Sequence, residues 1–268
     1  MTGLREILEK LKNGKITITE AERNIKGLYI EEIENIASFD LFREYRTGFP
    51  EVVFGQNKDV QDIFEICSKI LEKKKQIIIS KLSRHKFTIL KQKLESIKGE
   101  YNIVFNEKAK IAHITSEDLE ITKLYGKVGI ITAGTSDNEI AEEARVIIKL
   151  MGAEVITAYD VGISGFHRIF PPLKEMIKVD VDILIVIAGM EGTLPSVVAS
   201  LVDIPVIGVP APTGYGLGES GKGALTTMLQ SCAPGLVVVN IGNGFGAAVI
   251  SILFLKRIEK YLRKANED

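Results

Sequence analysis

The feature that most constrains the fold is an alternation, repeated five times after residue 124, of an unbroken apolar run, a glycine-containing turn and an amphipathic helical segment. Unbroken apolar runs are typical of strands buried on both faces, and a helix between successive strands makes the sheet parallel. The predicted strands are Val128–Thr132, Glu154–Tyr159, Ile183–Ala188, Val206–Val209 and Leu236–Ile241. The predicted helices are Asn138–Met151, Phe166–Lys178, Leu194–Val202, Ser220–Ser231 and Phe245–Lys264. We therefore expect an α/β domain with a doubly wound parallel sheet of about five strands.

Residues 1–123 follow a different pattern, which predicts a smaller module. They are rich in charged residues, and apolar residues recur at helical spacing near the start and again from Asp59 to Lys74. Short β-type runs lie at Glu51–Phe54, Gln76–Ser80, Tyr101–Phe105 and Lys110–Ile114. We expect an N-terminal α+β module at 1–123 and an α/β catalytic domain at 124–268.

Composition narrows the class of partner. A chain of 268 residues with 46% hydrophobic content can bury a large core. Its formal net charge of -1 gives no general basic surface for nucleic acid, and no apolar stretch reaches the ~18 residues of a membrane span. The two cysteines and the absence of a signal-type apolar start indicate a reduced compartment. We expect a cytoplasmic protein that acts on small molecules and binds neither nucleic acid nor membrane.

The turns after the strands carry the candidate site, because sheets of this class bind ligands at the carboxyl ends of their strands. The first turn contains Gly134, Thr135, Ser136 and Asp137. Its hydroxyl and carboxylate groups fit a helix cap, and backbone N–H groups at the start of a helix can also bind phosphate or carboxylate oxygens. Both interpretations stay open.

The second and third turns offer groups that suit phosphate binding and proton transfer. Arg168 can bind a phosphate through two hydrogen bonds, and the adjacent His167 is one of three histidines in the chain. In the third turn, Gly189 and Met190 precede Glu191, a carboxylate at the end of a buried strand. Glu191 is a candidate general base, and the alternative is a solvated turn residue.

The fourth and fifth turns are rich in glycine. Gly214, Tyr215 and Gly216 lie in a long loop, a kind of segment that is often functional in a compact domain. Cys232 follows the next predicted helix, and it is either a reactive thiol or an inert one. Asn243 lies in the Gly/Asn turn after the last predicted strand.

The order of these motifs resembles a known family. The segments on which the resemblance rests are Gly-Thr-Ser-Asp at 134–137, His167-Arg168, Ala-Gly-Met-Glu-Gly-Thr-Leu-Pro-Ser at 188–196, Pro205–Pro210 and Asn-Gly-Phe-Gly-Ala at 243–247. Together they resemble the PurE-like carboxylase superfamily, a flavodoxin-like α/β group that includes the carboxyaminoimidazole ribonucleotide mutase of purine biosynthesis.

Within that superfamily the chain is more similar to the LarB family, the carboxylase/hydrolases of nickel-pincer cofactor biosynthesis. The mutases carry a catalytic histidine where this chain has Thr193, and Glu191 precedes that position as in LarB. Gly-Tyr-Gly at 214–216, Ser-Cys-Ala at 231–233 and the segment Gly48–Gly55 also resemble LarB.

The resemblance implies an activity on nicotinic acid adenine dinucleotide. The pyridinium ring is carboxylated at C5 with CO2 or bicarbonate, and the phosphoanhydride is hydrolysed, giving pyridinium-3,5-biscarboxylic acid mononucleotide and AMP. It also implies Cys232 and Glu191 as catalytic residues, with the other turn residues named above binding substrate. Mg²⁺ is implied without assigned ligands, and no organic cofactor is expected. The implied assembly is a homo-oligomer with sites shared between subunits, octamers being common in the superfamily.

Two departures from the LarB pattern keep alternatives open. Gly242 stands where many relatives have aspartate, and residues 217–223 differ from the usual loop. The alternatives are a phosphoribosylaminoimidazole carboxylase or mutase, which the lack of histidine at Thr193 disfavours, and a non-catalytic module that binds adenylate.

Overall fold

The computed structural model describes residues 4–25, 30–33, 36–97, 99–117 and 119–265. The chain divides into two compact units, Met1–Glu120 and Ile121–Asp268, and each has its own sheet. The sequence-based domain boundary between residues 123 and 124 stays a prediction.

The N-terminal unit is an α+β module, as expected. In chain order its elements are α1 (Leu4–Lys12), α2 (Ile18–Ile25), β1 (Ile30–Ile33), β2 (Ala37–Asp40), α3 (Arg43–Thr47), β3 (Val52–Phe54), α4 (Val60–Leu71), β4 (Gln76–Ser80), α5 (Arg84–Leu94), β5 (Tyr101–Asn106) and β6 (Ile111–Ser116). Strands β3 to β6 form a mixed sheet in the order β3-β4-β6-β5, and β1 pairs with β2 in a separate antiparallel sheet. The four predicted β-type runs are therefore strands, whereas β1 and β2 were not predicted.

Helix α4 provides the core of this unit. Its apolar stripe buries Ile63, Ile66, Cys67 and Ile70 completely, which is the spacing of one helical face. Burial raises the pKa of the Cys67 thiol to about 12, so this sulfur is an inert core atom.

The C-terminal unit is the doubly wound α/β domain. Its elements are β7 (Lys127–Thr132), α6 (Asn138–Leu150), β8 (Glu154–Ala158), α7 (Phe170–Lys178), β9 (Ile183–Ala188), α8 (Leu194–Ala199), β10 (Val206–Pro210), α9 (Lys222–Leu229), β11 (Leu236–Val238) and α10 (Gly244–Ala265). The five strands form one parallel sheet in the order β8-β7-β9-β10-β11, which confirms the expected fold class. Every residue of β9 and β10 is buried, because helices cover both faces of the sheet.

Several predicted boundaries in this domain were wrong. The helix predicted to Val202 ends as α8 at Ala199. The helix predicted from Phe166 begins as α7 at Phe170, because 163–169 form 3₁₀ turns that break at Gly165. The helix predicted from Ser220 begins as α9 at Lys222, since Ser220 and Gly221 have φ angles of 57° and 81°. The last strand ends at Val238 instead of Ile241, because its pairing with β10 stops opposite Gly208, and beyond it the Gly242 amide donates to the oxygen of Pro210 at 2.8 Å.

Helices α6 and α10 pack closely at the start of α10. A Cβ atom on Gly244 would lie 2.4 Å from the backbone oxygen of Ile140, a distance that real Cβ atoms do not adopt. The absence of a side chain at Gly244 therefore sets the distance between the two helices.

We expect Gly244→Ala to lower the free energy of unfolding by about 1–3 kcal/mol through overpacking, although alanine normally favours a helix over glycine. The measurement is the urea midpoint at fixed protein concentration. Gly134→Ala is the matched control, because its Cβ would meet no atom closer than 3.7 Å and its backbone is extended. Equal midpoints for the two variants would contradict a fixed contact between α6 and α10.

Candidate functional site

The order of the strands places the candidate site between β7 and β9. The chain leaves β7 toward β8 on one side and leaves β9 toward β10 on the other, so the turns that follow β7 and β9 diverge. In sheets of this kind the resulting crevice at the carboxyl ends is where ligands bind.

The loop after β10 closes one side of this crevice. The Ala211 amide donates to the oxygen of Ala188 at 2.9 Å, and the Met190 amide donates to the oxygen of Thr213 at 3.2 Å. These bonds attach the loop to the turn after β9. A Cβ on Gly189 would lie 1.7 Å from Thr213 Oγ1, so only glycine allows this approach.

Asp137 joins the turn after β7 to the same loop. The carboxylate is 2% exposed, and Oδ2 accepts from the Gly134 amide at 2.9 Å. Oδ1 accepts from the Ser136 hydroxyl at 3.4 Å and from the Thr213 hydroxyl at 3.5 Å. Burial raises the pKa of Asp137, and these three hydrogen bonds act in the opposite direction. Asp137 is therefore placed to hold the turns together, while Thr135 and Ser136 are exposed at the crevice.

Glu191 lies in the exposed turn after β9. Met190 has a φ of 52° and Gly192 a φ of 67°, so the backbone turns sharply on both sides of Glu191. The carboxylate makes no hydrogen bond or ion pair with the residues that the structure describes, and it is open to solvent. Thr193 occupies the N-cap position of α8, but its side chain makes no capping hydrogen bond.

The turn after β8 is anchored to β7. The Asp160 amide donates to Thr132 Oγ1 at 3.1 Å, and Arg168 pairs with the Asp160 carboxylate at 3.3 Å. The guanidinium lies against Gly165, where a Cβ would be 2.5 Å from Arg168 Nε. His167 is exposed. A phosphate that reaches Arg168 therefore competes with or joins an existing carboxylate partner.

The remaining predicted binding residues differ in their surroundings. Gly214 and Gly216 both have positive φ angles, of 139° and 67°. They flank Tyr215, which is 81% exposed. Asn243 is the N-cap of α10, since its Oδ1 accepts from the Gly246 amide at 2.8 Å. The amide oxygen of Asn243 therefore has a structural role, which the position before a helix could have indicated.

Cys232 lies at the opposite edge of the sheet from Glu191. Helix α9 runs back from the carboxyl ends, and the oxygen of Gly235 accepts from the amide of Val206, the first residue of β10. The thiol is exposed on the connection just before β11. The five residues of β10, at about 3.3 Å each, separate the two edges by roughly 16 Å. Within one chain, the structure does not bring Cys232 and Glu191 together.

Sequence reasoning missed two sets of residues near this site. One is the threonine pair Thr132 and Thr213, whose hydroxyls bind neighbouring turns. The other is Glu142, which accepts two hydrogen bonds from Arg145, at 2.9 and 2.6 Å, and one from the Tyr159 hydroxyl at 2.5 Å. Burial, followed by the contact with Glu142, raises the pKa of Tyr159 to about 12. The threonine contacts and the Glu142–Tyr159 bond follow no spacing rule, because their partners come from different parts of the chain. Glu142 and Arg145, in contrast, form an i, i+3 pair on α6 that helical spacing could have indicated.

Two further features of the described residues concern metal ions and membranes. Among the described residues, no group of three or more His, Cys, Asp or Glu side chains could hold a metal ion. No helix in the described ranges is long and apolar enough to cross a membrane.

Comparisons with known proteins agree with this architecture. Residues 30–116 match the LarB/PurE-like N-terminal domain, and residues 127–267 match the AIR carboxylase domain. An uncharacterized protein of Methanocaldococcus jannaschii is 49% identical over 258 residues, covering 96% of this chain and 99% of that protein.

The second half of the chain is also similar to purine-pathway enzymes. The N5-carboxyaminoimidazole ribonucleotide mutase of M. jannaschii is 34% identical over 138 residues, which are 50% of this chain and 82% of that enzyme. The enzyme of the same name from Saccharolobus solfataricus is 30% identical over 151 residues, which are 53% of this chain and 91% of that enzyme.

The fold, the crevice and these matches define a carboxylase-type enzyme. The chain belongs to the PurE-like superfamily and is a LarB-like member of it. The family resemblance seen in the sequence is thereby confirmed, whereas the roles of the individual site residues stay predictions.

We expect the stability of Asp137→Asn, compared with that of the parent protein, to depend on pH, because the variant lacks the buried titratable carboxyl group. Because burial raises the pKa of Asp137 above 3.8, the folded state binds this proton more tightly than the unfolded chain. The contribution of Asp137 to the free energy of unfolding therefore falls as pH rises from 3.8 through the raised pKa. The melting temperature of the variant minus that of the parent should increase over this window and then stay constant.

Asp203→Asn is the control for this comparison, because it makes the same chemical change at an exposed aspartate outside the candidate site. A difference for Asp137→Asn that decreases with pH would show that the hydrogen bonds to the carboxylate outweigh its burial.

Proposed function

We propose that this chain carboxylates the pyridinium ring of nicotinic acid adenine dinucleotide at C5 and hydrolyses its phosphoanhydride. The products are pyridinium-3,5-biscarboxylic acid mononucleotide, for nickel-pincer cofactor biosynthesis, and AMP. The observation that carries the proposal is the joining, in one chain, of a LarB-type N-terminal domain with an AIR carboxylase domain that has an exposed cysteine, Cys232.

Covalent catalysis answers the main chemical difficulty of the reaction. A pyridinium ring is cationic and does not attack CO2. Addition of the Cys232 thiolate at C4 gives a neutral enamine-like dihydropyridine, whose C5 forms the new bond to CO2. Loss of the C5 proton and departure of the thiolate then restore the aromatic cation. Glu191 is the proposed acceptor of that proton, and its open position at the crevice supports this role.

The diphosphate of the substrate is proposed to bind to the turns after β7 and β8. Thr135 and Ser136 are exposed at the start of α6, where backbone N–H groups favour phosphate oxygens. Arg168 lies in the neighbouring turn and can bind the diphosphate. Mg²⁺ stays a prediction.

The proposal requires more than one copy of the chain. Cys232 and Glu191 lie at opposite edges of one sheet, so the two can act on the same ring only if Cys232 comes from a neighbouring subunit. A closed homo-oligomer, in which each site joins the carboxyl edge of one sheet to the amino edge of another, meets this requirement.

We expect Cys232→Ala to abolish the carboxylated product when the dinucleotide, bicarbonate and Mg²⁺ are supplied. Loss of the nucleophile should lower turnover by at least ~1,000-fold. Chromatography of the product and mass spectrometry of the protein for a ring adduct measure the effect. Cys67→Ala is the control, because that sulfur is buried in the N-terminal core, and it should retain turnover. An unchanged product yield with Cys232→Ala would exclude the covalent mechanism.

Mixed oligomers test whether the site is shared. Cys232→Ala and Glu191→Gln should each be inactive alone. When they are unfolded and refolded together in equal amounts, about a quarter of the sites should contain both intact residues if these come from different subunits. Activity should therefore recover to about a quarter of that of the parent protein. No recovery would mean that both residues act from the same chain.

A second candidate function is supported by the similarity to the mutases. These relatives match the C-terminal half of the chain, although Thr193 replaces their catalytic histidine. Conversion of N5-carboxyaminoimidazole ribonucleotide by the purified chain, together with no reaction of the dinucleotide, would favour this alternative.

A further inference from the structure

The N-terminal unit contains a cavity that the proposed reaction does not use. Its volume of about 570 Å³ falls within the range of ~300–1,000 Å³ that is usual for small-molecule sites. Leu41 and Leu71 contribute to its apolar wall, and Phe42, Tyr45 and Tyr101 add aromatic rings. All lining residues belong to this unit.

The charged part of the lining is predominantly basic. The charged residues are Lys10, Lys73, Lys74 and Lys75 together with Glu44 and Glu72. Lys10 forms an ion pair with Glu6 at 2.8 Å, and Lys73 pairs with Glu31. Lys74 differs from these two lysines, because its ammonium makes no hydrogen bond or ion pair with the part of the chain that the structure describes.

Lys74 lies beside two aromatic rings. Its Nζ is 5.8 Å from the ring centroid of Phe42 and 5.8 Å from that of Tyr45. Burial lowers the pKa of Lys74, while Glu44 and Asp40 oppose this effect. An anion beside the ammonium would compensate for the lost solvation.

We propose that this cavity binds a small ligand that combines a planar aromatic ring with an anionic group. The ring packs against Phe42 and Tyr45, and the phosphate or carboxylate binds the ammonium of Lys74. The ammonium lies 5.8 Å from the centroid of each ring, so a single compact ligand can contact the rings and the charge together. The site is independent of the carboxylation chemistry, because it uses no residue of the C-terminal domain.

Competitive acetylation of lysines tests this site directly. The full chain is treated with acetic anhydride, and the acetylation rates of Lys74 and Lys69 are measured by peptide mass spectrometry. The probes are AMP, benzoate and inorganic phosphate. At about ten times its Kd, a bound ligand should slow acetylation of Lys74 about tenfold by mass action. Lys69 is the internal control, because it is exposed on α4 and does not line the cavity.

Either aromatic anion can support the proposal. Protection by AMP alone assigns a phosphate-bearing ring, and protection by benzoate alone assigns an aromatic carboxylate. The proposal is overturned if neither slows acetylation of Lys74, if inorganic phosphate protects Lys74 as strongly as they do, or if Lys69 is protected equally.

Two variants separate this site from the carboxylase site. Tyr45→Leu should weaken protection of Lys74 by about two- to tenfold through loss of the aromatic contact. Tyr125→Leu is its matched control, since Tyr125 is similarly exposed but lies in the other unit. Protection in Cys232→Ala should equal that in the parent protein. This result is expected whether or not the proposed carboxylation is correct.

Discussion

The pairing of β7 with β9 is the constraint on which the C-terminal domain depends. These two central strands are almost completely buried, so their backbone groups must be satisfied within the sheet, by the ladder between them and by the ladders to β8 and β10 on either side. Because the following connections leave in opposite directions, the ladder opens a crevice at one edge of the sheet. Asp137 and Thr213 then hold the surrounding turns together through contacts that cross this crevice.

The same topology separates the two proposed catalytic groups. A turn after a strand and a connection before a strand lie at opposite edges of a parallel sheet, so Glu191 and Cys232 cannot meet in one chain. Assembly is therefore part of the proposed chemistry rather than a property added to it.

The N-terminal unit contributes chemistry of a different kind. Its core around α4 holds an inert thiol, whereas its cavity exposes the ammonium of Lys74 beside aromatic rings. The inferred ligand resembles AMP and the aromatic carboxylates in its combination of a flat ring and negative charge. A ligand site in this unit would give it a role beyond that of a structural extension.

The sequence alone determined the number, type and order of the strands and helices of the C-terminal domain, because buried strands and amphipathic helices have distinct hydrophobic periodicities. It did not determine where α7, α9 and β11 begin or end. It also identified the family and the residues that follow each strand. Only the tertiary structure decided that Thr213 meets Asp137 and that Cys232 lies far from Glu191. These facts depend on strand order and on contacts between residues distant in the chain, and neither is encoded in the spacing of neighbouring residues.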